Sequence, residues 1–217
     1  MDLVPPDGAT RSATTDVAIG NTVARDRFVK VIDVSLVRDL AGLRALEPDW
    51  RSLARGVLFR GPDWLVPWWH AYHNTLGAEL YVLVGRATEG DGDTQAGDVV
   101  CLAPLYRRAI KVALLDTREL RMMGDAGPRP PSLDILCRDG WEERAGAALA
   151  KAIADDHDWD VIDLEPLADP SRIRAHLVQR LGPAGFAVES APSAGGAAHI
   201  ALAIAPTEPT DGSGVVT

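Results

Sequence analysis

The feature that most constrains this chain is an alternation of extended and helical apolar patterns that runs from residue 27 to residue 188. Residues 28–34 are β-branched and aromatic enough to read as a strand. Ser35 then stands as an N-cap for a helix with Leu36, Leu40, Leu43 and Leu46 on one face. Pro48 interrupts that helix or opens a second one, which carries Trp50 and Leu53. Pro62 suits the first turn of a further helix, on which Trp64, Trp68 and Tyr72 share a face. Strands over 79–85 and 98–105 flank a Gly- and Asp-rich loop, and Pro104 is expected to end the second strand or to hold it at a sheet edge. A short strand at 119–123 precedes a Pro- and Gly-rich loop at 124–132, and 133–137 is apolar again. Residues 140–156 predict the clearest helix, with Asp139 and Glu142 as a capping-box variant and Trp141, Ala145, Leu149 and Ile153 as its stripe. A strand at 159–165 follows. The next helix is capped by Asp169, opened by Pro170 and closed by Gly182, and a last strand falls at 186–188. This order predicts an α/β (mixed α+β) domain over 27–190, with one mixed sheet and helices on both faces.

The flanks differ in composition. Residues 1–26 are rich in Pro, Gly, Ala, Thr and Asp and are expected to be a disordered leader. Residues 191–217 read as a low-complexity tail, in which Ile200, Leu202 and Ile204 alternate with alanine and suit one short strand. A net charge of -9, from 31 acidic and 22 basic residues, argues against a non-specific nucleic-acid or anionic-membrane partner. No apolar run is long enough to span a membrane and no secretory h-region is present, so the expected location is the cytoplasm. Cys101 and Cys137 each lie in an apolar strand-like segment and read as small buried hydrophobes rather than metal ligands.

Several pieces carry a family resemblance when taken in order. They are Trp50-Arg51-Ser52-Leu53, Phe59-Arg60-Gly61-Pro62-Asp63-Trp64, Cys101-Leu102-Ala103-Pro104-Leu105, Gly124-Asp125, Leu133-Asp134-Ile135-Leu136 and Trp159-Asp160-Val161-Ile162-Asp163-Leu164. This set resembles the amino-terminal half of the cellulose-biosynthesis-type acyltransferases, relatives of the Fem aminoacyl transferases built from tandem GNAT (N-acetyltransferase) domains. The resemblance implies a degenerate GNAT-like domain and a reaction that moves an acyl group from acetyl-CoA or a similar donor to an amine or hydroxyl acceptor. It also implies a second GNAT domain holding the acyl-CoA site. The tail is then expected to be the start of that missing domain, and the chain an acceptor-side half, inactive alone, with no cofactor of its own. Self-association or pairing with a second GNAT domain follows as an expectation. The alternative reading is a non-enzymatic module that recognises a glycan or peptide on the same fold.

Candidate site residues are few. Asp163 and Glu165 alternate onto one face at a strand end, where a carboxylate is able to act as general base toward an acceptor amine. Asp125, Arg129, Ser132 and Asp134 crowd a Pro-stiffened turn that approaches the acceptor in the resembling family. Gln179-Arg180-Leu181-Gly182-Pro183-Ala184 matches the GNAT pyrophosphate loop literally, yet it closes a helix instead of opening one, so it reads as a C-cap. His70 and His73 lie one turn apart but have no third ligand at suitable spacing, so no metal is expected.

Overall fold

The computed structural model describes residues 32–90, 92–127, 130, 133–165, 167–168, 171–192 and 197–204. In chain order, β1 (Ile32–Val37) leads into α1 (Leu40–Ala45), α2 (Glu47–Ala54), a 3-10 turn (Leu58–Arg60) and α3 (Pro62–Leu76). Then come β2 (Ala78–Ala87), β3 (Val99–Val112), β4 (Leu115–Met122) and the two-residue β5 (Leu136–Cys137). α4 (Glu142–Asp155), β6 (Val161–Asp163), β7 (Leu167–Ala168), α5 (Arg174–Leu181), β8 (Phe186–Pro192) and β9 (Ala197–Ile204) follow.

β1 to β4 pair antiparallel in sequence order. β4 then runs parallel to β6, and β9 lies antiparallel between β6 and β8. β5 extends the β3 edge beyond the end of β4, and β7 extends the β9 edge beyond β6. The sheet is therefore mixed, and among the described strand pairs only β4–β6 is parallel. A parallel pair needs a long crossover, and α4 lies within it.

Helices cover both faces. Leu80 and Tyr106 are cross-strand partners on one face, and Tyr106 meets Trp68 of α3 at 5.7 Å between ring centroids. Tyr81 and Leu105 are partners on the other face, where the Tyr81 hydroxyl donates to Asp156 at the end of α4. The core is continuous across the sheet, with Trp50, Tyr81, Leu102, Leu105, Leu120, Leu133 and Trp159 among its fully buried side chains.

Several expected boundaries move, each for a local reason. Ser35 does not cap a helix; it stays in β1, opposite Val84. The cap is Asp39, whose carboxylate accepts from the Gly42 N–H at 2.8 Å. Pro48 does open its own helix, α2. Pro104 neither ends β3 nor sits at an edge. Its carbonyl accepts from Met123 N–H at 2.9 Å just beyond β4, on the side where β5 takes over, so its missing N–H falls at the change of neighbour. β3 runs on to Val112 and turns through Ala113 and Leu114, both at positive φ. Asp139 does not cap α4, whose cap position is Trp141; it pairs instead with Arg55 at 2.7 Å and with Arg172. β8 and β9 carry the sheet past the expected boundary at residue 190, because the Ala-alternating segment finds partners on both sides in β6 and β8. Asp169, Pro170, residues 1–31 and residues 205–217 lie outside the described residues.

Leu120 tests the central layer: it is wholly buried between Arg107 of β3 and Ile162 of β6. Leu120→Ala is expected to lower unfolding stability by about 2–5 kcal/mol in urea titration. A loss below about 1 kcal/mol means that the β4–β6 joint is not part of the core.

Candidate functional site

The alternation of β4 puts Leu120 and Met122 on the α4 side and Glu119 and Arg121 on the α3 side. Cross-strand pairing adds Tyr106 opposite Arg121, Arg108 opposite Glu119, and Asp163 beside Arg121 across the parallel joint. Immediately after β4 the chain turns at Gly124 (φ +98), where a Cβ would come within 2.9 Å of the Leu65 and Leu133 side chains. That turn presents Asp125 to the same face.

The result is a largely buried polar cluster built around one cation. The Arg121 guanidinium donates to Asp125 through Nε, to Asp163 at 2.6 Å and to Glu119 at 3.2 Å. The Tyr106 hydroxyl donates to Asp125 at 2.8 Å, and Arg108 donates to Glu119 at 2.7 Å. Asp163 also accepts from the Glu165 backbone N–H at 3.0 Å. Burial by itself disfavours the charged guanidinium, but Asp125, Asp163 and Glu119 outweigh it and hold the Arg121 pKa above its ordinary value. Burial, and then the Asp125 charge, push the Tyr106 phenol well above its ordinary 10, so it remains a donor at neutral pH. Among the described residues the cluster joins two cations to three carboxylates.

The aromatic face of α3 holds this arrangement from above. Trp68 Nε1 donates to the Ala126 carbonyl at 2.8 Å, and Tyr72 stacks on Trp68 at 5.4 Å. The Tyr72 hydroxyl packs against Gly127 where a Cβ would otherwise sit. These rings are thus a wall that positions the Asp125 loop, with Trp68 itself buried. His73 is occupied locally, its Nδ1 lying 2.9 Å from the Trp69 carbonyl.

The expected site residues divide. Asp125 and Asp163 are brought together by Arg121. Glu165 lies beyond the end of β6 and is linked to Asp163 through its backbone N–H, so the two carboxylates do not share a strand face. Asp134 belongs to a different environment. It accepts from Ser171 Oγ at 2.8 Å, faces Arg60 at 3.3 Å, and borders a cavity of about 90 Å³ that Arg55, Cys137 and Arg172 also line. Arg129 and Ser132 lie outside the described residues. The 179–184 segment ends α5, with Gly182 at the C-cap, and opens no helix there. Sequence reasoning missed Arg121, Tyr106 and Glu119. The available signal was Glu119 and Arg121 flanking apolar Leu120, which marks one strand face as polar.

No helix among the described residues is long and apolar enough to cross a membrane. No family model, curated protein or solved structure matches the chain.

Asp134 offers a pH test. Burial raises its pKa above 3.8, and the Ser171 hydrogen bond and Arg60 charge offset this only in part. The folded protein therefore holds this proton more tightly than the unfolded chain does. The stability gained from it is full below pH 3.8 and is lost as pH rises through the raised folded value. Asp134→Asn cannot ionise. Its stability relative to the parent is expected to improve steadily from about pH 3 to about pH 7 in urea titrations. A gap that is flat with pH, or that widens in favour of the parent, contradicts this.

Proposed function

We propose that the chain is the acceptor-side half of a GNAT-like N-acyltransferase of the Fem-related kind, serving an amine or hydroxyl acceptor and inactive without a separate acyl-donor site. The observation that carries this reading is the parallel joint. β4, α4 and β6 make one crossover unit, and Arg121 gathers Asp125 and Asp163 at the carboxyl ends of its two strands. Open α/β sheets take ligands in crevices at the carboxyl ends of such strands. Carboxylates there suit a donor such as an ammonium or hydroxyl group. The segments that resemble the family supply this unit directly: Gly124-Asp125 forms the turn after β4, and Val161-Ile162-Asp163 forms β6.

The donor side argues differently. A CoA pyrophosphate is held on the N–H groups of a helix that opens after a strand, and α4 is the helix that follows β5. Its first turn carries Glu142 and Glu143, with Asp139 just before. These carboxylates, with Asp139 and Glu142 paired to Arg55 and Arg172, already occupy the positive end of the helix dipole and compete there with a pyrophosphate. Acyl-donor binding by this chain is therefore not part of the reading; a second GNAT domain is its natural supplier.

One observation favours non-enzymatic recognition of a glycan or peptide as the second reading. Arg121 meets three carboxylates and Asp125 accepts from both Arg121 and Tyr106, an arrangement better suited to holding a ligand than to removing a proton. Backbone amide shifts in NMR titrations test the ligand site that both readings share. Among amino sugars, amino acids and short peptides, at least one is expected to perturb amides in 119–125 and 161–165, while acetyl-CoA leaves the spectrum and calorimetric trace unchanged. Micromolar binding of acetyl-CoA refutes the acceptor-half reading. Ligand shifts confined to other parts of the sheet refute the site.

A further inference from the structure

Cys101 and Cys137 face each other directly across β3 and β5. The Arg138 N–H donates to the Val100 carbonyl at 2.8 Å, so the adjoining Val100–Arg138 pair is the hydrogen-bonded kind. Hydrogen-bonded and non-hydrogen-bonded pairs alternate along an antiparallel ladder, so Cys101–Cys137 is non-hydrogen-bonded. In that kind of pair the two Cα atoms stand about 4.5 Å apart with side chains on one face, within the separation of about 4.4–6.8 Å that a disulfide spans.

Both thiols are free and buried. Cys101 is shut inside the sheet, its Sγ occupying the space over Gly85 that a Cβ there would fill. Cys137 borders the cavity beside Asp134, and the Arg55 guanidinium donates to its carbonyl at 3.5 Å. Burial pushes the Cys101 thiol up to about 12, and that of Cys137 higher still, so neither is nucleophilic at rest. Reaction therefore depends on opening of β5. β5 is two residues long and, among the described residues, pairs with β3 alone, so few backbone bonds hold it against local opening.

We propose that Cys101 and Cys137 are a dithiol that closes to a cross-strand disulfide in exchange with a small-molecule disulfide, stapling β5 to β3. Cys137, which borders the cavity, reacts first. Its thiolate attacks one sulfur of oxidised glutathione, forming a mixed disulfide and expelling one glutathione thiolate. Rotation about the Cys101 Cα–Cβ bond then carries its Sγ from Gly85 toward Cys137. The Cys101 thiolate attacks the Cys137 sulfur, forms the internal bond and expels the second glutathione. Two protein thiols are oxidised, one glutathione disulfide is reduced to two thiols, and the protein's two protons leave on them. The closed ring spans the β3–β4 hairpin and the Asp125 loop, so the oxidised form constrains the segment that builds the polar cluster. This inference rests on strand register and is independent of the acyl-transfer reading.

The test is incubation of the full chain with oxidised glutathione in mildly alkaline buffer, then denaturation, alkylation and peptide mapping by mass spectrometry. The expected product is a monomer lighter by two hydrogens, with no alkylated thiol and a linked peptide joining Cys101 to Cys137. Its Tm lies several degrees above that of the reduced protein and falls back with dithiothreitol. Cys101→Ser, lacking the second thiol, is expected to accumulate a glutathione adduct on Cys137. If that variant does not fold, the peptide map of the parent decides alone. Two alkylatable thiols after incubation, a persistent glutathione adduct on the parent, or a disulfide between chains overturns the proposal.

Discussion

One largely buried guanidinium determines how the two parts of the sheet meet. Arg121 sits on β4 where its neighbours change: β3 on one side, β6 on the other, and the chain about to leave the sheet at Met122. An arginine here is costly to desolvate, and an isolated one would not be tolerated. Asp125, Asp163 and Glu119 make it acceptable, and each comes from a different stage of the chain: the turn after β4, the end of β6 and β4 itself. The same contacts that neutralise Arg121 therefore fix the loop and the parallel strand relative to the antiparallel run. Breaking such a set by removing one partner typically costs about 3–5 kcal/mol, because the remaining charges stay buried.

The aromatic face of α3 acts on the same point from the other side. Trp68 and Tyr72 press on Tyr106 and on the 123–127 turn, and the Trp68 indole N–H ties down the Ala126 carbonyl. Gly124 and Gly127 are needed because Leu65, Leu133 and Tyr72 already occupy the space that a Cβ would take, and both have positive φ. Core packing and the polar cluster are thus two descriptions of one assembly. The cluster takes its rigidity from α3 and its central cation from β4.

Much of the architecture was legible because it depends on local periodicity. The stripe on α3 and the helix containing Ala145, Leu149 and Ile153 follow from spacing and appear where expected, and of the two outcomes open at Pro48 the structure takes the second helix. What was illegible depended on partners distant in sequence. Pro104 passes through mid-strand because β4 ends and β5 begins beside it. Ala113 and Leu114 carry no turn signal, so the long hairpin they close was invisible. The Ala-alternating segment suited a short strand from its pattern alone, but its place between β6 and β8 depends on those distant partners. In the site, Asp125 and Asp163 were visible as carboxylates at element ends, whereas Arg121, which joins them, looks in sequence like any solvated strand charge. Asp134 seemed to belong with Asp125 by proximity in sequence, but the backbone of Leu133, bridged to Leu167, lies between them in the chain, and its own partners are Ser171 and Arg60.

Hydrogen–deuterium exchange on Arg121→Met tests this account most directly. Loss of the guanidinium is predicted to speed exchange together in 119–127 and 161–165 while the amides of α4 stay protected, since only the joint and its loop depend on the missing cation. Unchanged protection in both segments, or uniform loss across the whole sheet, would contradict the claim that Arg121 is what binds the two parts together.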